Sequence, residues 1–588
     1  MPEPLECEGH HAGQDLEGGN LACQSRGSGA RGPLRTVSLW ACILWCAGGL
    51  IAPSSYGGPT PASSGLLGEE RVYQVQIELR PEERARLLRD SRRYVPANLS
   101  IDGVNYGQVG LHLKGKGSFR NLDEKPSFTV NLAKFKRDQR FRGLRKIHLN
   151  NSVEDGSFLR EWIGSELFRA AGVPAPEVGH AMVRLGDRQL GLYVVKEGFA
   201  SEFLSRNFAR SDGQLYELAD GGSVPGGSST EGTPFQRMIV AAQEPDLERR
   251  WQRLRETVDV DRFLSFMAME VVACHWDGYS LARNNFRVYH DPGTDRMVFL
   301  PTGMDQLFAN PMLTWRPHMA GTVARGFLEI PEGRELYRAR VESIVAEDLR
   351  PERLGVQIER RVSLLSSALS ASGAGDLREE AGKLIMQIAE RREHLKSELM
   401  QPDPKLLVVP PEGALLTNWH PSDCPAQGIM DEDQSPDGRP SWHIVAGPTT
   451  SASWRSTVRL LAGQYRLRAW ARVRDTKPLP FGKHHGARLR IAGMDRESAC
   501  LLGTGGWECL QVSFAVPAPD SEVELICELR ASGGECWFVR NPLLLRQTDD
   551  SLRRGNLENS SERAKPTVDG INSASNSGNV VEPQKHAE

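Results

Sequence analysis

At 588 residues the chain exceeds what one hydrophobic core sustains, so two or more domains are expected. Its 39% hydrophobic and 25% charged content is ordinary for a soluble protein, and a formal charge of −3 offers no basic face, so no nucleic-acid partner is expected. Ten cysteines with no CxxC spacing form neither a disulfide scaffold nor a cysteine metal motif.

In chain order, residues 1–56 hold a polar lead-in and then the uncharged run VSLWACILWCAGGLIAP. At about 17 residues this run is short for a full span, and it reads as a signal-peptide core or an N-terminal membrane anchor. An extracytoplasmic protein, secreted or envelope-anchored, is therefore expected. Residues 57–68 are a Pro/Gly/Ser linker.

Residues 69–402 read as an α+β domain, strands first and helices later. RVYQVQIELR alternates as a strand does, and Pro81 opens a helix. LHLKGKGSF, KPSFTVNLAKF and LRKIHLNN continue a strand-rich block broken by turn pairs such as Asp102-Gly103. The clearest helix spans 155–172, capped by Asp155 or Ser157 and ended by Gly172 with Pro174. HAMVRL and LGLYVVKE follow as strands, then a Gly/Ser-rich loop at 219–235 and helical spacing from about 247 to 274. FRVYH and MVFLP are strands joined by the turn DPGTDR, and the chain beyond 310 is mostly helical.

A proline-rich boundary opens 403–546, where short alternating strands predict a β-sandwich of jelly-roll type, with the look of a carbohydrate-binding module. Five of the cysteines fall in this last third, which would suit disulfides in an exported protein. The polar tail 547–588 is expected to be disordered.

The stretch Trp276–Phe308 concentrates the chemistry. Asp277 follows a long apolar run, Asn284 and Asn285 stand at the mouth of FRVYH, and MVFLP delivers Asp305 in a Gly-containing turn. Two carboxylates and a carboxamide pair at adjacent strand ends suit a divalent cation and a polyphosphate, because hard cations take oxygen ligands. In that logic Asp277 serves the acceptor hydroxyl, while Asp305 and an asparagine hold Mg²⁺ or Mn²⁺. The alternative is that Asp277 caps a turn and the asparagines satisfy loop backbone. In LKGKGSFR, Gly115 and Gly117 let backbone amides approach phosphate, with Lys114 or Lys116 supplying charge. Lys196 and Glu197 end GLYVVKE; alternation turns one of them inward, and a charge facing a core must be paired or bind something.

These segments, with LNNSVEDGSFLR, AGVPAPEVGHAMVRL, WDGYSLARNNFRVYHD and FLPTGMDQLF, resemble in order the CotH kinase family of spore-coat-type atypical protein kinases, over roughly residues 70–400. The resemblance implies a divergent protein-kinase-like fold, binding of ATP and Mg²⁺ or Mn²⁺, and phosphorylation of protein Ser/Thr hydroxyls. It makes Asp277 the catalytic-loop acid, Asp305 the metal-binding acid and Asn284 or Asn285 the second metal contact. This chain has lysines in the glycine segment where many members carry arginine, so Lys114, Lys116 and Lys196 all stay open as the phosphate contact. The rival expectation is an inactive kinase-like structural or adhesive envelope protein whose sandwich binds glycan.

Overall fold

The computed structural model describes residue 67 and residues 71–115, 117–217, 232–422, 428–480, 484–494, 496–516 and 521–547. The expected signal or anchor, most of the linker and of the Gly/Ser-rich loop, and nearly all of the polar tail lie outside these residues.

The N-terminal part is a closed barrel. Its strands are β1 (Val72–Glu78), β2 (Val95–Ile101), β3 (Val104–Lys114), β4 (Ser127–Asn131), β5 (Lys146–Asn150), β6 (Val178–Leu185) and β7 (Arg188–Glu197), with helix α1 (Pro81–Arg89) after β1 and α2 (Arg160–Ala170) after β5. The barrel order is β1-β2-β3-β4-β5-β7-β6, closed by the parallel pairing of β1 with β6. Alternation in β1 buries Tyr73, Val75 and Ile77, which join Leu111, Val130, Leu149 and Val195 in the barrel core. Lys114 on β3, Asn150 on β5 and Lys196 on β7 thus come from neighbouring strands of the barrel, with β4 between the first two.

Helix α2 is shorter than the expected 155–172. Phe158 takes φ +57°, and the Asp155 carboxylate accepts from the backbone N–H of Ser157 and of Arg160, both at 3.0 Å. A tight turn therefore precedes the helix, with Asp155 capping it from outside, and Gly172 at φ +81° ends it.

The second part is largely helical: α3 (Ser201–Asn207), α4 (Pro234–Ala242), α5 (Leu247–Thr257), α6 (Val260–Val272), α7 (Tyr279–Ala282), α8 (Thr322–Leu328), α9 (Pro331–Glu347), α10 (Pro351–Ser366) and α11 (Ala371–Met400). A small antiparallel sheet, in the order β10-β9-β8, sits among them: β8 (Leu215–Glu217), β9 (Phe286–Asp291) and β10 (Arg296–Pro301). Helix α4 was not anticipated; Thr233 caps it and Pro234 opens it, next to the Gly/Ser-rich stretch. Helix α6 is buried nearly all round, with Phe263, Phe266, Met267 and Met269 at 0–1% exposure, so it is the core on which the candidate site rests.

The C-terminal part is a two-sheet antiparallel β-sandwich. Its strands are β11 (Ala414–Leu415), β12 (His420–Ser422), β13 (Ile429–Gln434), β14 (Pro440–Val445), β15 (Thr450–Leu460), β16 (Gly463–Arg474), β17 (Gly486–Ile491), β18 (Glu508–Val516), β19 (Ser521–Ala531), β20 (Glu535–Val539) and β21 (Leu543–Gln547). One sheet runs β11-β21-β16-β20-β14-β13, with β18 also on β16, and the other β12-β15-β19-β17. The cysteines described here, Cys500, Cys509, Cys527 and Cys536, are free thiols, contrary to the expected disulfides. Cys527 and Cys536 are fully buried and fill the core as small apolar side chains.

Candidate active site

The cationic side of the site is built on Glu161 of α2. Lys196, from the end of β7, donates to Glu161 Oε1 and reaches Thr302 Oγ1 at 3.4 Å. Asn150, from the end of β5, donates to Glu161 Oε2 at 2.6 Å and accepts from Lys114 Nζ at 2.5 Å. Both lysines are thus tied to one carboxylate, Lys196 directly and Lys114 through a carboxamide. The Lys196 and Glu161 side chains are 5% and 3% exposed. Burial, reinforced by the Lys196 charge, pushes the Lys114 ammonium down to about 7. Burial alone would raise Glu161, but Lys196 and Lys114 more than offset it and hold the carboxylate below its usual range.

The acidic side hangs on the end of α6. Glu270, fully buried, accepts the backbone N–H of Tyr279 and of Ser280, each at 2.8 Å, and so clamps the loop that carries Asp277. Burial pushes Glu270 up to about 7. A Cβ on Gly278 would lie 2.4 Å from Glu270 Oε1, so the loop can pass this close only with glycine there. Asp277 Oδ2 accepts from Asn284 Nδ2 at 3.0 Å and from Asn285 Nδ2 at 2.8 Å. Both carboxamides therefore hold the carboxylate through their N–H groups, which leaves their oxygens for other partners.

Asp305 stands in the turn after β10. Its flanking residues Met304 and Leu307 are fully buried against α2, where a Cβ on Gly164 would meet Leu307 Cδ1 at 2.5 Å. The helix that presents Glu161 and the turn that presents Asp305 are thus locked together at a glycine. Burial first, then the Glu161 and Glu154 charges, raise Asp305 to about 6. His275, whose ring Nε2 donates to the Thr302 carbonyl at 3.1 Å, is held down to about 4 by burial.

Asp277, Asn284, Asn285, Asp305, Lys114 and Lys196 therefore belong to one connected region. Gly115, at φ +106°, and Gly117, whose Cβ would lie 3.3 Å from Glu154 Oε1, flank it, while Lys116 lies outside the described residues. Glu197 does not join: strand alternation turns it to the opposite face, where it pairs with Arg206 and accepts Glu177 N at 3.1 Å. Sequence reasoning missed Glu161, Asn150, Thr302 and Glu270. The signal for both glutamates was a charge inside an apolar helical pattern, in REWIGSELF and SFMAMEVV.

A strand-borne lysine paired to a helix glutamate, across from an acid loop and a second acid on a strand turn, defines a kinase-like protein. Residues 111–376 match the family described as CotH kinase protein. The chain is 22% identical over 223 residues to the inner spore coat protein H of Bacillus subtilis (strain 168), a match that covers 34% of this chain and 60% of that protein's length. Among solved structures it is similar to a chain of the Shewanella oneidensis MR-1 HipA–HipB–operator complex (15% identity, 58% of this chain and 75% of that one, TM-score 0.24). It is also similar to the Helicobacter pylori proinflammatory kinase CtkA (9% identity, 48% and 96%, TM-score 0.20). The chain also has a likeness to TmCBM61, solved with β-1,4-galactotriose (15% identity, 22% of this chain and 88% of that one, TM-score 0.17).

Proposed function

We propose that the chain is an atypical protein kinase that transfers the ATP γ-phosphate to Ser or Thr hydroxyls of a protein outside the cytoplasm, using Mg²⁺ or Mn²⁺. The observation that carries this reading is the convergence of Lys196 and Lys114 on the buried Glu161, beside Asp305. The donor set fits a hard cation: Asp305 is a desolvated carboxylate flanked by other acids, and Asn284 and Asn285 keep free carboxamide oxygens. The bound cation would neutralise polyphosphate charge. Lys196, oriented by Glu161, and Lys114, oriented by Asn150, hold the phosphates. Asp277, fixed by the two asparagines, orients the acceptor hydroxyl and takes its proton. Location outside the cytoplasm rests on the uncharged run at 37–53.

The test is incubation of the full chain with γ-labelled ATP, Mg²⁺ or Mn²⁺ and a Ser-rich acceptor. Asp305→Ala is expected to lower label transfer by about two to three decades, as loss of one preorganised charge contact does. Undiminished transfer in that variant refutes the metal assignment. Absence of Mg-ATP binding at millimolar nucleotide by calorimetry favours the inactive, adhesive reading instead.

A further inference from the structure

The outer face of the sheet β12-β15-β19-β17 carries a second polar site, independent of the kinase reading. In β17 and β19 one set of alternate residues, Ala487, Leu489, Ile491, Leu525, Cys527 and Leu529, fills the sandwich core. The other set puts Arg488, Arg490, Glu528 and Arg530 on the opposite face, with Arg488 directly across from Glu528. A face of this kind is ordinarily solvated, yet Arg488 is 2% exposed and Glu528 4%. These residues line a cavity of about 270 Å³ together with Arg496 and Glu497.

The two carboxylates are fully engaged. Glu528 Oε1 accepts from Arg488 Nη2 at 2.8 Å, and its Oε2 accepts from Arg490 Nε at 3.0 Å. Glu497 Oε2 accepts from Arg488 Nη1 at 2.9 Å, and its Oε1 meets His484 Nδ1 at 2.7 Å. Burial would raise Glu528, but Arg490 and Arg488 hold it below its usual range. Four guanidinium groups against two carboxylates leave an excess of positive charge on the lining. Two guanidinium N–H groups, Nε of Arg488 and Nε of Arg530, are buried with no acceptor among the described residues. Arg530 Nε stands 4.0 Å from Glu528 Oε1, beyond hydrogen-bond reach.

A structural ion-pair network accounts for Arg488, Glu528 and Arg490 and reaches Arg530 only at 4.0 Å, but it leaves the two orphaned donors without acceptors, and buried N–H groups are rarely left unpaired. What completes the site must bring negative charge and at least two acceptor oxygens, and guanidinium groups match planar and tetrahedral oxyanions. We propose that this cavity binds an oxyanion, a carboxylate, sulfate or phosphate, either free or as the acidic group of a sugar-sized molecule, with Arg530 and Arg488 as its donors.

The experiment is calorimetric titration of the full chain at low ionic strength with inorganic phosphate, sulfate, a hexuronic acid and the matching neutral hexose. Lys196→Met removes one of the kinase cleft's two lysines, and binding through this cavity persists unchanged in that variant. Arg530→Gln is the informative substitution, because that side chain is 28% exposed and the fold does not rest on it. It is expected to weaken oxyanion binding by about tenfold or more, as loss of a charge-assisted contact does, with no change in the melting temperature of the ligand-free chain. Tighter binding of the hexuronate than of the inorganic ions assigns the acidic sugar as the source; parity assigns the free oxyanion. The proposal is overturned if no anion binds at about 10 mM, if the neutral hexose binds as well as the hexuronate, or if Arg530→Gln leaves every affinity unchanged.

Discussion

Replacing Lys196 by Met tests the construction of the cationic side most directly. The substitution keeps the length of the side chain and removes its charge, which leaves Glu161 3% exposed and without its direct partner. Breaking a buried pair by removing one member costs about 3–5 kcal/mol. Here the lower end, about 3 kcal/mol, is expected, for a reason visible in the site. Lys114 is linked to the same carboxylate through Asn150, and its ammonium is depressed partly by Lys196 itself. Without Lys196, Lys114 regains its proton at higher pH and compensates part of the Glu161 charge. At roughly 2–4 °C per kcal/mol the melting temperature should fall by about 6–12 °C in a fluorimetric scan. Adding Glu161→Gln removes the uncompensated charge, so the double variant should return to within about 1 kcal/mol of the parent while still failing to bind Mg-ATP. That combination, stability restored and binding lost, separates the structural role of the pair from its role in the cleft. The reasoning is refuted if Lys196→Met costs less than about 1 kcal/mol, or if the double variant is no more stable than the single.

Two further outcomes follow from the same geometry. Asp305 must lose its proton, above about 6, and Lys114 must keep its own, below about 7, so kcat/KM for ATP should peak between these values, with the acid limb set by Asp305 and the alkaline limb by Lys114. Lys114→Arg, which stays charged, should move the alkaline limb upward; an unmoved limb excludes Lys114 as its origin. Gly164→Val should overpack the contact with Leu307 and Met304, costing about 1–3 kcal/mol and weakening Mg-ATP binding by displacing Glu161 from Asp305; parental melting temperature and affinity together would falsify the locking role of this glycine.

The two sides of the cleft differ in how legible they were, and the difference is one of sequence distance. Asp277, Asn284, Asn285 and Asp305 fall within a single loop–strand–turn–strand unit, so alternation and turn chemistry alone brought them together. Lys114, Asn150, Glu161 and Lys196 arrive on three strands and a helix, and no local pattern states that β5 lies between β4 and β7 in the barrel. Alternation at Lys196-Glu197 did say that one residue faces inward, but both are buried, because β7 is covered on its two sides and each charge has its own partner. The residue that gathers Lys114 and Lys196 is Glu161. Its neighbours Trp162, Ile163, Leu167 and Phe168 make α2 a buried helix, and a carboxylate on such a helix demands a cation. Two lysines satisfy that demand, Lys196 through a direct ion pair and Lys114 through Asn150. Lys114 and Lys196, two of the three lysines the sequence offered, are thus drawn to one carboxylate.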